Sequence, residues 1–143
     1  MAVISWHYAE KDDVTKALEW LKREAENGSP EAMFALGECY AEEEDEAEAF
    51  KWYKMAAEKG DIDAMAALGQ CYANGEGVDK DKAKAFKWYK RAAENGDVQA
   101  MYNVGDCYLH GKGVPKDKAE AFEWYKRAAN EGHEGAIKLL QKW

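Results

Sequence analysis

The chain reads as an all-α solenoid of stacked helix pairs, and three observations predict it. Trp20, Trp52, Trp88 and Trp124 recur at spacings of 32, 36 and 36 residues. A glycine follows each of them eight residues later, at Gly28, Gly60, Gly96 and Gly132. Between these markers the chain is rich in Ala, Glu and Lys, poor in Val, Ile and Thr, and holds only two prolines, Pro30 and Pro115, a balance that favours helix over strand. A fixed period of this size marks units too small to bury their own apolar faces, so each must stack on its neighbours.

The chain opens on a degenerate element in which Ile4, Ser5 and Tyr8 match Leu36, Gly37 and Tyr40. A helix of a second kind follows from Asp13 and recurs from Asp45, Asp81 and Asp117; the last two copies agree at 12 of 16 positions. In one copy Ala85, Phe86, Tyr89, Ala92 and Ala93 fall on one helical stripe. Asp at the start and Lys or Arg toward the end suit the helix dipole, and the glycine supplies the stop.

The partner helix begins near Ala32, Ala64 and Ala100, with a buried stripe of Ala, Leu or Val, and Tyr at i, i+4 and i+8. A glycine inside a helix costs about 1 kcal/mol against alanine. Its recurrence at Gly37, Gly69 and Gly105 predicts a neighbouring helix too close for a Cβ, with these glycines nesting one hairpin on the next. Ala136, Ile137 and Leu140 repeat the pattern of Ala100, Met101 and Val104, so a capping helix is expected at the end. The resulting division is a half-repeat over 1–29, repeats over 30–60, 61–96 and 97–132, and a cap over 133–143.

Asn74–Lys80 and His110–Lys116 join the two helices through Gly-x-Gly-Val turns in which valine tucks back. Neither follows a strand or carries the Lys-Ser/Thr of a P-loop, so phosphate binding is not expected. The first unit lacks this four-residue insertion and runs through Glu42–Glu46 instead, which explains the 32-residue spacing.

At 143 residues, with 47% hydrophobic and 13% aromatic content, the chain suits one ordered domain. The net charge of −8 argues against nucleic acid, which needs a clustered basic face. No apolar run approaches the ~20 residues that span a bilayer. The start, Met1 to Tyr8, lacks a basic n-region and a long h-region. The expectation is a cytoplasmic protein, or a periplasmic or secreted one if an export signal has been removed.

Cys39, Cys71 and Cys107 sit at equivalent positions beside a tyrosine. Repeat stacking separates them too far for disulfides or a tetrahedral site, so buried free thiols are expected and no metal or cofactor. The tryptophans are expected to pack between adjacent second helices on the outer side. Glu42–Glu46 lacks the Asp-x-Asp-x-Asp-Gly calcium pattern and reads as a solvated junction. His7, His110 and His133 stand in no recurring relation to Ser, Cys or Asp, and no nucleophile-elbow, zincin or Cys-x-x-Cys motif occurs, so no enzyme is expected.

The motifs A-x-x-x-L-G-x-x-Y, G-x-G-V and A-x-x-W-Y-x-x-A-A-x-x-G recur across nearly the whole chain. In them the chain resembles the Sel1-like repeat family, a branch of the tetratricopeptide-repeat superfamily. The resemblance implies a right-handed superhelix of antiparallel helix pairs whose first helices line a concave face. It also implies an adaptor role. A cysteine-rich branch of the family carries paired cysteines in each repeat and has been linked to penicillin binding and slow β-lactam hydrolysis. Here each repeat has one, with Ala57, Ala93 or Ala129 where a second might sit.

With Leu36, Leu68 and Val104 buried, residues two before and two after them should face the groove. They are Phe34 and Glu38, Ala66 and Gln70, and Tyr102 and Asp106. The register adds Trp6 at one end and Lys138 and Lys142 at the other. Phe34 and Tyr102 are expected as anchors for a peptide or protein segment, with Glu38 and Asp106 favouring basic residues in it. The expected protein is a non-catalytic, monomeric interaction scaffold; a weak β-lactam-hydrolysing enzyme and a self-assembling repeat fragment are the alternatives.

Overall fold

The structure is a computed structural model and describes residues 11–143. The element expected around Ile4–Tyr8, and Trp6 with it, lies outside the described residues. Among those residues the chain forms eight helices and no strand: α1 (Lys11–Glu26), α2 (Pro30–Glu42), α3 (Glu46–Glu58), α4 (Ile62–Asn74), α5 (Lys82–Glu94), α6 (Val98–His110), α7 (Lys118–Asn130) and α8 (Glu134–Gln141). Each helix packs chiefly on the one before it and the one after it, so the core is a continuous strip running the length of a solenoid.

Capping residues set the boundaries. Asp45, Asp81 and Asp117 precede α3, α5 and α7, and each accepts the amide of the residue three further on, at 3.3, 3.1 and 3.1 Å. Ser29, Asp61, Asp97 and His133 do the same for α2, α4, α6 and α8, at 3.2, 2.9, 2.8 and 3.0 Å. Each cap contributes about 1 kcal/mol. Successive units join by one turn: Gly60 N–H donates to Ala57 O and Asp61 N–H to Ala56 O, both at 3.0 Å, a Schellman closure. Asp61 then caps α4, so one residue ends a unit and starts the next. The glycine pattern eight residues past each tryptophan is the sequence trace of this turn.

The turns inside a unit differ in length yet close on the same bond. Asp45, Asp81 and Asp117 each donate the backbone N–H to the carbonyl of Tyr40, Tyr72 and Tyr108, at 2.9 Å in all three. The longer turns loop out and return. The short one instead holds Glu44 at φ 61, the one described non-glycine residue in the left-handed region.

The helix glycines act inside a hairpin, which corrects the expectation that they nest one hairpin on the next. A Cβ on Gly69 would meet the Tyr89 ring at 2.7 Å; Gly37 and Gly105 stand in the same relation to Tyr53 and Tyr125. The tyrosine of the second helix lies flat on its own first helix. Nesting between hairpins falls to the loop glycines. A Cβ on Gly77 would collide with the carbonyl oxygen of Glu46, and one on Gly113 with that of Lys82. Each loop therefore lies on the first turn of the preceding unit's second helix. Val78 and Val114 tuck into the core behind it, as expected.

Leu36, Leu68 and Val104 are fully buried, and the three cysteines are buried and unpaired. The tryptophans form a gradient along the stack. Trp88 and Trp124 are buried beneath Arg91 and Arg127, whose guanidinium carbons lie 4.7 and 4.6 Å from their rings. Trp52 is half-buried, and Trp20 is 48% exposed. Packing between adjacent second helices was expected; at the α1 end the ring is left largely in solvent.

Candidate functional site

The first-type helices α2, α4 and α6 share one face of the solenoid, and the loops overhang it. Among the described residues two cavities open there, one repeat apart. The first, about 340 Å³, is floored by Ala49 and Tyr53 and walled by Phe34 and Glu38 of α2, Glu46 of α3, Ala67, Gln70 and Cys71 of α4, and Glu76 of the loop. The second, about 330 Å³, is floored by Ala85 and Tyr89 and walled by Lys82 of α5, Asn103, Asp106 and Cys107 of α6, and Lys112 of the loop. Adding 36 to the numbers of the α3, α4 and loop residues of the first gives those of the second: Glu46 becomes Lys82, Gln70 becomes Asp106 and Glu76 becomes Lys112. Small floor residues and the helix glycine beneath the tyrosine leave the volume open.

The charges differ sharply. The first cavity presents three carboxylates and no cation; the second presents two lysines and one carboxylate. The Gly77 and Gly113 contacts explain how each set arises. By laying the loop on the start of the preceding helix, they bring Glu76 to the cavity of Glu46 and Lys112 to that of Lys82.

The thiols at the cavity walls sense the same contrast. Burial, then Glu76 and Glu46, push Cys71 up to about 12. Burial also raises Cys107, but Lys112 pulls against it and the value stops at about 11. Burial, then Asp63 and Glu42, raise the Glu38 carboxyl above its ordinary value.

A third equivalent position is already filled. Trp143 lies 5.7 Å from Phe122 and 5.8 Å from Tyr125 between ring centroids, and Lys118 Nζ sits 5.3 Å from the centre of its indole. Lys118 and Tyr125 are the next counterparts of Lys82 and Tyr89. A further indentation of about 370 Å³, at the C-terminal ends of α5 and α7, is bordered by the exposed, helix-terminal Glu94, Arg127 and Glu131.

Of the residues expected in the groove, Phe34, Glu38, Gln70 and Asp106 line the cavities. Ala66 and Tyr102 are half-buried outside them; Lys138 and Lys142 are exposed around α8. The two expected anchors are packing residues in part. Phe34 lies 5.7 Å from Tyr53, and Tyr102 lies 5.3 Å from Tyr125 while stacking on His133 at 4.5 Å. His133 is held in turn by Gln99, 2.9 Å from its Nε2. Asp106 accepts a hydrogen bond from Tyr125. Glu46 was expected only as part of a solvated junction, and Glu76, Lys82, Lys112 and Asn103 were not expected at a site. Reading Gly-Glu-Gly against Gly-Lys-Gly across the two loops was the signal that could have found Glu76 and Lys112.

Among the described residues no three His, Cys, Asp or Glu side chains group as a metal site, and no helix is long and apolar enough to cross a membrane.

Known proteins agree with this architecture. The profile of the Sel1 repeat matches residues 7–29, 30–61, 62–97 and 98–133. A Sel1 repeat protein from Oxalobacter formigenes is 44% identical, with a TM-score of 0.82 over 90% of this chain and 99% of that one. A protective antigen of uropathogenic Escherichia coli strains displaying an SLR fold is 29% identical, with a TM-score of 0.82; the match covers 94% of this chain and 30% of the antigen. Helicobacter pylori cysteine rich protein B is 25% identical, with a TM-score of 0.72 over 92% of this chain and 97% of that one. Among curated proteins, none matches the chain.

Proposed function

Because the chain belongs to the Sel1 repeat family, whose members typically serve as protein-interaction scaffolds, we propose that it is a non-catalytic adaptor taking a peptide or protein segment along the face of α2, α4 and α6. The observation that carries this reading is the pair of equivalent cavities on that face, each combining an aromatic floor with charged rims. Rings supply area for a bound segment and rim charges fix its register.

The test is affinity capture with the intact chain against an Ala67→Trp/Asn103→Trp variant, in which an indole fills each cavity from its half-exposed wall. Circular dichroism checks that the variant keeps its helices. A protein recovered by the wild type and lost by the folded variant supports the reading. Equal recovery by both overturns it.

A further inference from the structure

We propose that the segment bound on this face carries opposite charges about three to six residues apart, a Lys or Arg in the first cavity and an Asp or Glu in the second. The proposal rests on the scaffold reading and adds the chemistry of the partner.

Three observations lead to it. The two cavities are the same construction one repeat apart, yet the sign of the rim inverts: Glu46 and Glu76 at the first, Lys82 and Lys112 at the second. Each pair spans two units, one residue from the start of a second helix and one from the next unit's loop, brought together by the Gly77 and Gly113 contacts. Both charges of a pair therefore line one cavity. Finally, Glu38 adds a third negative charge to the first set, while Asp106, held by Tyr125, offsets only one of the two lysines and leaves the second set net positive.

The spacing follows from geometry. Neighbouring packed helices stand on the order of 10 Å apart, and an extended strand advances about 3.3 Å per residue. The cavities lie one helix pair apart, two such steps along a zigzag of helices or about 10–20 Å, so two side chains reaching them are about three to six residues apart. A segment with like charges at those places would meet repulsion at one cavity, so the inversion selects against uniformly basic and uniformly acidic partners.

The experiment selects displayed random dodecapeptides on the wild-type chain and measures the enriched peptides by fluorescence anisotropy. Targets are the wild type, the exchange variant Glu46→Lys/Glu76→Lys/Lys82→Glu/Lys112→Glu, and the filled variant Ala67→Trp/Asn103→Trp, each shown to be helical. Enriched peptides are expected to carry the opposite pair at that spacing and to bind the exchange variant at least about tenfold more weakly. Swapping the two charges within the peptide should restore binding to that variant. Peptides without the pair, or equal affinity for wild type and exchange variant, overturn the inference. If the filled variant still abolishes binding in that case, the scaffold reading survives alone. Undiminished binding to the filled variant, or no enrichment at all, sinks both.

Discussion

Tyr125 lays its ring against Gly105 and donates its hydroxyl hydrogen to Asp106 Oδ1 at 2.5 Å, locking the two helices of one unit together by packing and by charge. Among the described residues, only this one of the three equivalent tyrosines makes that bond; Glu38 and Gln70 hold the corresponding places beside Tyr53 and Tyr89. A hydrogen bond to a charged group is worth about 1.5–3 kcal/mol, and the half-exposed carboxylate favours the lower end. Tyr125→Phe should therefore destabilise the fold by about 1.5 kcal/mol. Tyr89→Phe should cost far less. Paired chemical-denaturation curves check the difference.

Gly69→Ala sets two effects against each other. Alanine gains about 1 kcal/mol of helix propensity. The new methyl, however, would sit 2.7 Å from a ring carbon of Tyr89, and that ring is buried. Overpacking of this kind costs about 1–3 kcal/mol. The net expectation is destabilisation, with part of it recovered by adding Tyr89→Leu. A rise in melting temperature for the single variant would contradict the close contact.

Glu44 offers the opposite case. Its φ of 61 places an L side chain in the left-handed region, among the carboxylates of Glu42, Glu43, Asp45 and Glu46. Such a conformation costs about 1–2 kcal/mol relative to glycine. Glu44→Gly should stabilise the chain by about 1 kcal/mol and raise its melting temperature by a few degrees. Calorimetry decides it.

Cys71 and Cys107 should be inert in the folded chain. Burial is the first cause holding both protonated, with values pushed up to about 12 and about 11 from an ordinary 9.0. The thiolate is the reactive form, so labelling with a disulfide reagent near neutral pH should run at least about 100-fold faster after unfolding. The linkage has a definite sign. Because the folded values are raised, their contribution to stability is complete below about pH 9 and is lost as pH climbs toward 11–12. Urea midpoints across that window should fall.

The sequence revealed most of the fold because its signals are local. Periodic Ala, Leu and Tyr gave the stripes, and Asp before each second helix with glycine after it gave the ends. His133 escaped notice as a cap because Ser or Asp holds that place elsewhere, and imidazole is not the usual residue there. The partner of each helix glycine was misjudged because periodicity shows that something approaches, without naming which neighbour. Part of the cavity lining was legible: counting two residues either side of Leu36, Leu68 and Val104 found Phe34, Glu38, Gln70 and Asp106. The charged rim was not. Glu46 with Glu76, and Lys82 with Lys112, meet only through the loop's return onto an earlier helix, and no single-helix periodicity encodes that meeting.

The closing bond from Asp45, Asp81 or Asp117 to its tyrosine carbonyl is the same length whether four extra residues intervene or none. The overhanging segments can thus be lengthened, shortened or recoded while the hairpins beneath them keep their grip. One charge of each rim pair sits on such a segment, whose length the hairpin does not fix. Grafting the Gly-Lys-Gly segment in place of Gly-Glu-Gly would shift the first rim from three negative charges to a net of one without asking the stack to refold.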